Sequence, residues 1–307
     1  MSAKRVLLTG ASGFIGRHCI APLQARGYEV HAVSSRAAPA AGDGARWHVV
    51  DLLDTHRTAA LVDTVRPHSL LHLAWYAEHG KFWQSPRNLD WVGASLALIR
   101  AFIDAGGRRM TFAGTGAEYD WSNGRCSETT TPLEPQGLYG VCKHALHRIA
   151  AAAAREAGVG CAWGRIFYLY GPGEHSGRLV PQVVRAQLRG ERLTLSNPAL
   201  ARDYLYVGDV ADALACLLDS AVEGAVNIGS GNAVTLRALV DGVSARLGRA
   251  DLVDFGGGAA PRQEPPLVVA DTARLAGELG WRPSVDLAHG LKLAVDFWRN
   301  RPDTTPV

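Results

Sequence analysis

The chain has 307 residues, 47% hydrophobic and 20% charged, which is enough apolar material for a sizeable core and excludes a disordered chain. Its 32 Lys and Arg against 29 Asp and Glu leave a net charge of +3, spread along the sequence, so neither a nucleic-acid groove nor an anionic membrane surface is expected. No apolar run reaches the ~18 residues of a membrane span, and the stretch after Lys4 and Arg5 is too short for a secretory signal; a soluble cytoplasmic protein is expected.

Residues 5–8 read as a short apolar strand, followed by a glycine-rich turn and a helix through Gln24 that Gly27 closes. Further strands are predicted at 28–33, 46–50, 69–74, 110–113 and 161–167. Between them, helices are predicted at 55–65, 88–105 and 139–157, the last including the alanine run 150–154 as a closely packed face. Strands alternating with helices across short loops imply parallel crossovers and a doubly wound α/β sheet. After Gly171 the rhythm changes. It lapses over 172–204, returns over 209–228 and lapses again beyond Gly231. This places a dinucleotide-binding domain at 1–171 plus about 205–231 and a smaller α+β domain at about 172–204 plus 232–307. The five cysteines, Cys19, Cys126, Cys142, Cys161 and Cys216, are scattered without a close pair, which fits reduced thiols rather than disulfides or a zinc site. No metal is expected.

The run Gly10-Ala11-Ser12-Gly13-Phe14-Ile15-Gly16 joins the first strand to the first helix. Gly10 permits the tight turn, Gly13 lets backbone approach a pyrophosphate, and Gly16 allows close helix–strand packing. The helix N-terminus offers free N–H groups to the anion. A NAD site places a carboxylate at the end of the second strand, against the ribose 2′-hydroxyl. Here that end is Ser34-Ser35-Arg36, hydroxyls and a guanidinium suited to a 2′-phosphate, with Arg17 as a second charge. Asp51 and Leu52 after the third strand fit an adenine-edge contact. NADP is therefore expected ahead of NAD.

Tyr139 and Lys143 stand four apart at a helix start, on one face. A phenol is a poor acid–base group at neutral pH, and a neighbouring ammonium favours its ionised form. Thr115, at the end of the fifth strand, brings a hydroxyl to the carboxyl edge of the sheet, either to orient a substrate carbonyl or simply as a strand-end cap.

With these residues the chain resembles an extended short-chain dehydrogenase/reductase of the nucleotide-sugar epimerase/dehydratase family, which has a Rossmann fold. The resemblance runs nearly end to end, through Leu71-His72-Leu73-Ala74, Thr115 to Tyr119, Tyr139 to Lys143, Arg165 to Pro172, Arg202-Asp203-Tyr204, Asn227-Ile228-Gly229 and Leu279-Gly280-Trp281-Arg282-Pro283. It implies a catalytic triad of Thr115, Tyr139 and Lys143, with Tyr139 and Lys143 also on the cofactor, and with Leu73 and Ala74 lying along it. Arg202 and Arg262 would meet the substrate diphosphate, and the two long helices would form a homodimer. Dehydratases of that family carry Thr-Asp-Glu where this chain has Thr115-Gly116-Ala117, and epimerase–reductases carry a cysteine where it has Ala117. Glu118, one place late, reads as structural. Tyr168 stands where an asparagine commonly contacts the sugar nucleotide. His175 is either an extra acid–base group or an exposed loop residue, and Trp75, Tyr76 and Trp83 either line the pocket or pack.

The expected activity is therefore NADPH-dependent reduction of a nucleotide-linked 4-keto-6-deoxysugar, a step of deoxysugar biosynthesis. A nucleotide-sugar C4 epimerase that retains NAD is the alternative, and a non-catalytic NADP-binding sensor a third reading, disfavoured by the intact triad.

Overall fold

A computed structural model describes residues 4–36, 42–256 and 264–301. Seven strands make the main sheet: β1 (Lys4–Thr9), β2 (Tyr28–Ser34), β3 (Arg46–Val49), β4 (Ser69–His72), β5 (Arg109–Thr115), β6 (Gly160–Ile166) and β7 (Gly224–Ile228). Their order is β3-β2-β1-β4-β5-β6-β7, and every pairing is parallel. The order reverses between β1 and β4, which opens a crevice at their carboxyl ends. Helices α1 (Gly16–Ala25), α2 (Thr55–Val65), α3 (Arg87–Asp104) and α4 (Leu138–Ala157) follow in turn.

Side-chain alternation along the strands divides the core. Val6 and Leu8 pack with Cys19, Ile20 and Leu23 of α1 and with α6 (Val207–Leu218), which follows α5 (Leu179–Arg189). Leu7 points the other way, into a core built from α2, α3 and α4. In α4 the buried alanines are Ala150 and Ala154, one turn apart, so the alanine run is a packed face.

The predicted strand 69–74 ends at His72, because the Leu73 and Ala74 N–H groups turn to the Thr9 hydroxyl. The predicted strand 161–167 forms as 160–166 in the main sheet, and a separate strand not predicted, Tyr168–Tyr170, pairs with Tyr204–Tyr206. Beyond Gly231, where no rhythm is legible, α7 (Leu236–Leu247), α8 (Ala273–Gly277) and α9 (Leu287–Arg299) form. Thr235 and Asp286 cap α7 and α9 through the Ala238 and His289 N–H groups. Helices α5, α7 and α9 enclose a separate core around Val183, Val240, Leu291 and Trp298.

A small mixed sheet orders Val234–Thr235, Ala201–Arg202, Leu267–Ala270 and Arg125–Cys126 side by side. Arg125–Cys126 thus leaves the N-terminal part of the chain to join the C-terminal strands. Buried Asp203 fixes this sheet to the main one by accepting from the Ser230, Gly231 and Ala270 N–H groups. No helix among the described residues is long and apolar enough to cross a membrane.

Candidate active site

The glycine turn sits where β1 meets the crevice. Gly10 adopts φ +68°, and a β-carbon there would stand 2.8 Å from the Ala74 nitrogen, so glycine serves both the turn and the approach of Ala74. A β-carbon on Gly16 would run into the Gly10 carbonyl. One on Gly13 would meet only the Gly10 oxygen of its own turn, at 3.1 Å, which leaves its outer side open to a ligand. No side chain caps α1, so Phe14, Ile15 and Gly16 present an N-terminus suited to a pyrophosphate.

Ala74 is held in place by a chain of hydrogen bonds. The Thr9 hydroxyl lies 2.7 Å from His72 Nδ1, and His72 Nε2 lies 2.9 Å from the Ser95 hydroxyl. Burial, with the Lys143 charge adding to it, pushes His72 down to about 3, so the ring is neutral and bridges both hydroxyls. This clamp escapes the sequence reading, although His72 belongs to the quoted motif.

At the end of β2, the buried Ser34 hydroxyl lies 2.9 Å from that of Ser12 and accepts from the Arg36 N–H at 3.1 Å. Ser35 and Arg36 are exposed beyond it. Asp51 is exposed and accepts from the Leu53 N–H, while Leu52 is buried. Since β1, β2 and β3 are neighbours in parallel, the glycine turn, Ser34–Arg36 and Asp51–Leu52 share one edge of the sheet. That edge fits a dinucleotide, and among the described residues at the end of β2 it offers no carboxylate.

Thr115 is the last residue of β5, and its hydroxyl accepts from the Ala117 N–H at 3.2 Å. It is a strand-end cap, and the hydroxyl also interacts with Tyr139. Gly137, at φ +90°, starts α4, and Gly140 lets the first turn pack on the Ala117 carbonyl. Tyr139 is half-buried; burial pushes its phenol up to about 12, while Thr115 and Arg178 pull against that rise. Lys143 is buried, donates to the Ala113 carbonyl at 2.9 Å and lies 3.9 Å from the centre of the Trp75 ring. Burial pulls its ammonium down to about 7, and the Glu118 charge opposes the fall.

The segment after β4 forms an aromatic wall over this triad. Phe82 meets Tyr139 edge-on at 4.9 Å, and Trp83 does so at 5.6 Å. Trp75 donates to Asn88 at 2.8 Å, whereas Tyr76 turns to Glu78. Trp83 thus borders Tyr139, and Trp75 borders Lys143 while packing on the core. Phe82 is a residue that sequence reasoning missed; only its place in an aromatic-rich stretch could have marked it.

Glu118 is fully buried and pairs with Arg165, with Nε 3.0 Å from Oε2. His144 and His147 bring ligand atoms within 4.8 Å of this carboxylate, but Arg165 already neutralises it. Tyr168 accepts from Arg202 Nε at 3.1 Å. The Arg202 guanidinium, itself buried, also donates to the Ala201 and Pro265 carbonyls and to Glu264. Arg262 lies outside the described residues. His175 is exposed, its ring 5.2 Å from that of His79. Arg178, unmarked in the sequence, lies over the Phe82 ring at 5.8 Å and acts electrostatically on both Tyr139 and Tyr168.

The sequence model described as NAD dependent epimerase/dehydratase family matches residues 6–229. The chain belongs to this family. The dTDP-4-dehydro-6-deoxyglucose reductase of Escherichia coli is 25% identical over 307 residues, spanning 93% of this chain and 95% of that one. The UDP-glucose 4-epimerase of Thermotoga maritima, solved with UDP-glucose, has a TM-score of 0.86 at 27% identity over 96% of this chain and 98% of its own. That of Thermus thermophilus, solved with NAD, has a TM-score of 0.84 at 28% identity over 96% and 99%. As a member of the epimerase/dehydratase family, this protein is an NAD(P)-dependent enzyme that modifies nucleotide sugars.

Proposed function

We propose that this enzyme reduces a nucleotide-linked 4-keto-6-deoxysugar with NADPH. One observation carries the reading. Positions 116 and 117 bear no acid, and the nearest carboxylate, Glu118, is turned into the core by Arg165. Elimination of water and inversion beside the ketone both need a further acid–base group, whereas simple reduction needs only Tyr139.

When bound, the nicotinamide supplies the hydride. Gly10, Ser12, Gly13, Phe14, Ile15 and Gly16 would hold the pyrophosphate, and Ser34, Ser35 and Arg36 the 2′-phosphate. Asp51 and Leu52 would border the adenine, and Leu73 and Ala74 the middle of the cofactor. Thr115 orients the substrate carbonyl and Tyr139 gives its phenolic proton to the carbonyl oxygen. Lys143 returns Tyr139 to the protonated state and hydrogen-bonds the nicotinamide ribose. The aromatic wall keeps water from the transfer.

Tyr168, Arg178, Arg202 and Arg262 would face the nucleotide sugar. For Arg202 this means exchanging its Glu264 partner for a phosphate oxygen. The separate core of α5, α7 and α9 supports a substrate-binding part at about 172–204 plus 232–307, joined by the Arg125–Cys126 strand, against a dinucleotide-binding part at 1–171 plus about 205–231. Leu89, Val141 and Ile149 on α3 and α4, 58%, 47% and 45% exposed, support a homodimer through these helices. Dependence on a reduced NADP pool points to the cytoplasm.

The likeness to two UDP-glucose 4-epimerases favours a second reading, a C4 epimerase that retains NAD. The test is a panel of nucleotide 4-ketosugars with NADPH in deuterated water. The reductase oxidises one NADPH per product and leaves carbons 3 and 5 unlabelled. Protein that purifies with NAD and interconverts hydroxyl epimers without added cofactor supports the epimerase instead.

A further inference from the structure

Four acidic side chains are buried among the described residues: Glu118, Glu174, Asp203 and Asp209. Three of them are engaged. Glu118 accepts from the Thr115 N–H, Trp163 and Arg165, Asp203 from Ser230, Gly231 and Ala270, and Asp209 from Ser284 and Val285. Glu174 is the exception: it is 5% exposed, and its enclosed Oε2 meets no hydrogen-bond partner. A buried polar group without a partner costs stability, and such a cost persists where the group serves something other than the fold. Burial pushes the carboxyl up to about 8, with Arg178 and the Gly171 backbone pulling against the rise. At neutral pH it is mostly a protonated acid, able both to donate and to accept.

The segment that carries Glu174 runs across the crevice. It leaves the strand Tyr168–Tyr170 at Gly171 and reaches α5 at Leu179. Near its start the Pro172 carbonyl lies 3.0 Å from His18 Nε2 of α1, and a β-carbon on Gly173 would stand 2.9 Å from the Arg17 guanidinium. At its far end a β-carbon on Gly177 would stand 3.0 Å from the His79 ring, and Arg178 lies over the Phe82 ring at 5.8 Å. One end thus rests on the helix that opens from the glycine turn, and the other on the aromatic wall over Tyr139. Between them Glu174 is turned inward, within electrostatic reach of Arg178 and Tyr204. The Tyr204 ring lies 5.8 Å from that of Tyr168, which accepts from Arg202. The carboxyl is therefore set between the Tyr139 wall and the Arg202 cluster.

We propose that Glu174 is a sugar-binding residue, whose carboxyl exchanges hydrogen bonds with a ring hydroxyl of the hexose. The proposal rests on the reading that Tyr139 meets the sugar carbonyl and Arg202 the diphosphate, which puts the hexose between them. A protonated carboxyl suits that place. An ionised one would repel the neighbouring diphosphate, whereas the acid offers a hydroxyl one donor and one acceptor. An apolar side chain of the same size would be buried without the cost of an unpartnered oxygen, so the fold by itself gives no reason for an acid at position 174.

Calorimetry at pH 7 with UDP-glucose and UDP, and with dTDP-glucose and dTDP, tests this on Glu174→Met and Glu174→Gln. Glu174→Met should weaken whichever nucleotide sugar wild type binds by about 10-fold and leave the matching nucleoside diphosphate within about two-fold. Glu174→Gln, which keeps a donor and an acceptor, should recover most of that loss. Glu174→Met should also raise the melting temperature by about 2–4 °C, because an unpartnered buried acid is gone. A Glu174→Met protein that melts lower than wild type or fails to fold would overturn the proposal, since the acid would then serve the fold. Unchanged sugar affinity, or equal weakening of nucleotide sugar and diphosphate, would overturn it as well. If wild type reduces no ketosugar, the reductase reading falls, while the difference between nucleotide sugar and diphosphate still decides the role of Glu174.

Discussion

Acidification should unfold this protein through its buried histidines, with a slope set by their number. His72, 3% exposed, is held from 6.5 down to about 3 by burial and then by Lys143. His147, stacked on Trp163, is held from 6.5 down to about 3 by burial and then by Arg165. In both, the folded state binds a proton less readily than the unfolded chain. Their contribution to stability is therefore complete above about pH 6.5 and is lost as pH falls towards about 3. Each histidine adds about 1.4 kcal/mol per pH unit in that window, so the pair removes roughly 5 kcal/mol between about pH 6.5 and pH 4.5. That is a large share of the ~5–15 kcal/mol that holds a typical domain folded. Urea unfolding midpoints measured across the window give the slope, and His72→Gln isolates one histidine. The variant should lose about 1–3 kcal/mol at neutral pH, because Thr9 and Ser95 lose their bridge. Its acid slope should be shallower by one proton. A slope equal to wild type would show that His72 is already charged in the folded protein and that the Thr9–His72–Ser95 chain is misread.

Other expectations concern the cofactor, the proton and the assembly. Tyr139→Phe should lower reductive kcat by about 10²–10⁴-fold while NADPH affinity, read by fluorescence, stays within a few-fold; wild-type turnover would remove Tyr139 from the mechanism. Arg36→Ala should weaken NADPH by about 10–100-fold and leave NADH nearly unchanged, since Arg36 is exposed and its side chain holds no partner among the described residues. Tighter binding of NADH than NADPH by wild type would refute the reading of Ser34–Arg36. Ile149→Glu, on the exposed face of α4, should halve the mass seen by light scattering without shifting the melting temperature of the monomer. An unchanged mass would place the assembly elsewhere.

What the sequence revealed was what sterics and spacing determine locally. The glycine turn is legible because a side chain at Gly10 or Gly16 collides with backbone a few residues away or across one strand pair. Tyr139 and Lys143 are legible because four residues is one helical turn, and Thr115 because β5 ends there. Hidden features depend on distant partners. Glu118 reads as structural, but the partners that hold it there, Trp163 and Arg165 on the next strand, are visible only in the fold. The Leu73–Ala74 bend depends on Thr9, and the rhythm beyond Gly231 is broken by strands of two to four residues, too short to show a period. Arg178 lies in a stretch rich in glycine and proline, with no helical or strand pattern to aim it.

The Tyr139 phenol is shaped by charges that reach it from two distant stretches of the chain. From the end of β5, Glu118 favours the neutral phenol of Tyr139; from the segment before α5, Arg178 favours the phenolate. Burial outweighs both and acts with Glu118. The Arg178 segment is not independent of the cofactor edge, because His18 on α1 lies 3.0 Å from the Pro172 carbonyl and Arg17 crowds Gly173. The helix that opens the glycine turn therefore also braces the segment that carries Arg178 to the phenol. Lys143, meanwhile, is already committed to the Ala113 carbonyl and the Trp75 ring, so the position of its ammonium is fixed by β5 and the aromatic wall. The acidity of Tyr139 follows from this enclosure as a whole, and a substitution at Thr115, Glu118 or Arg178 acts on the same phenol.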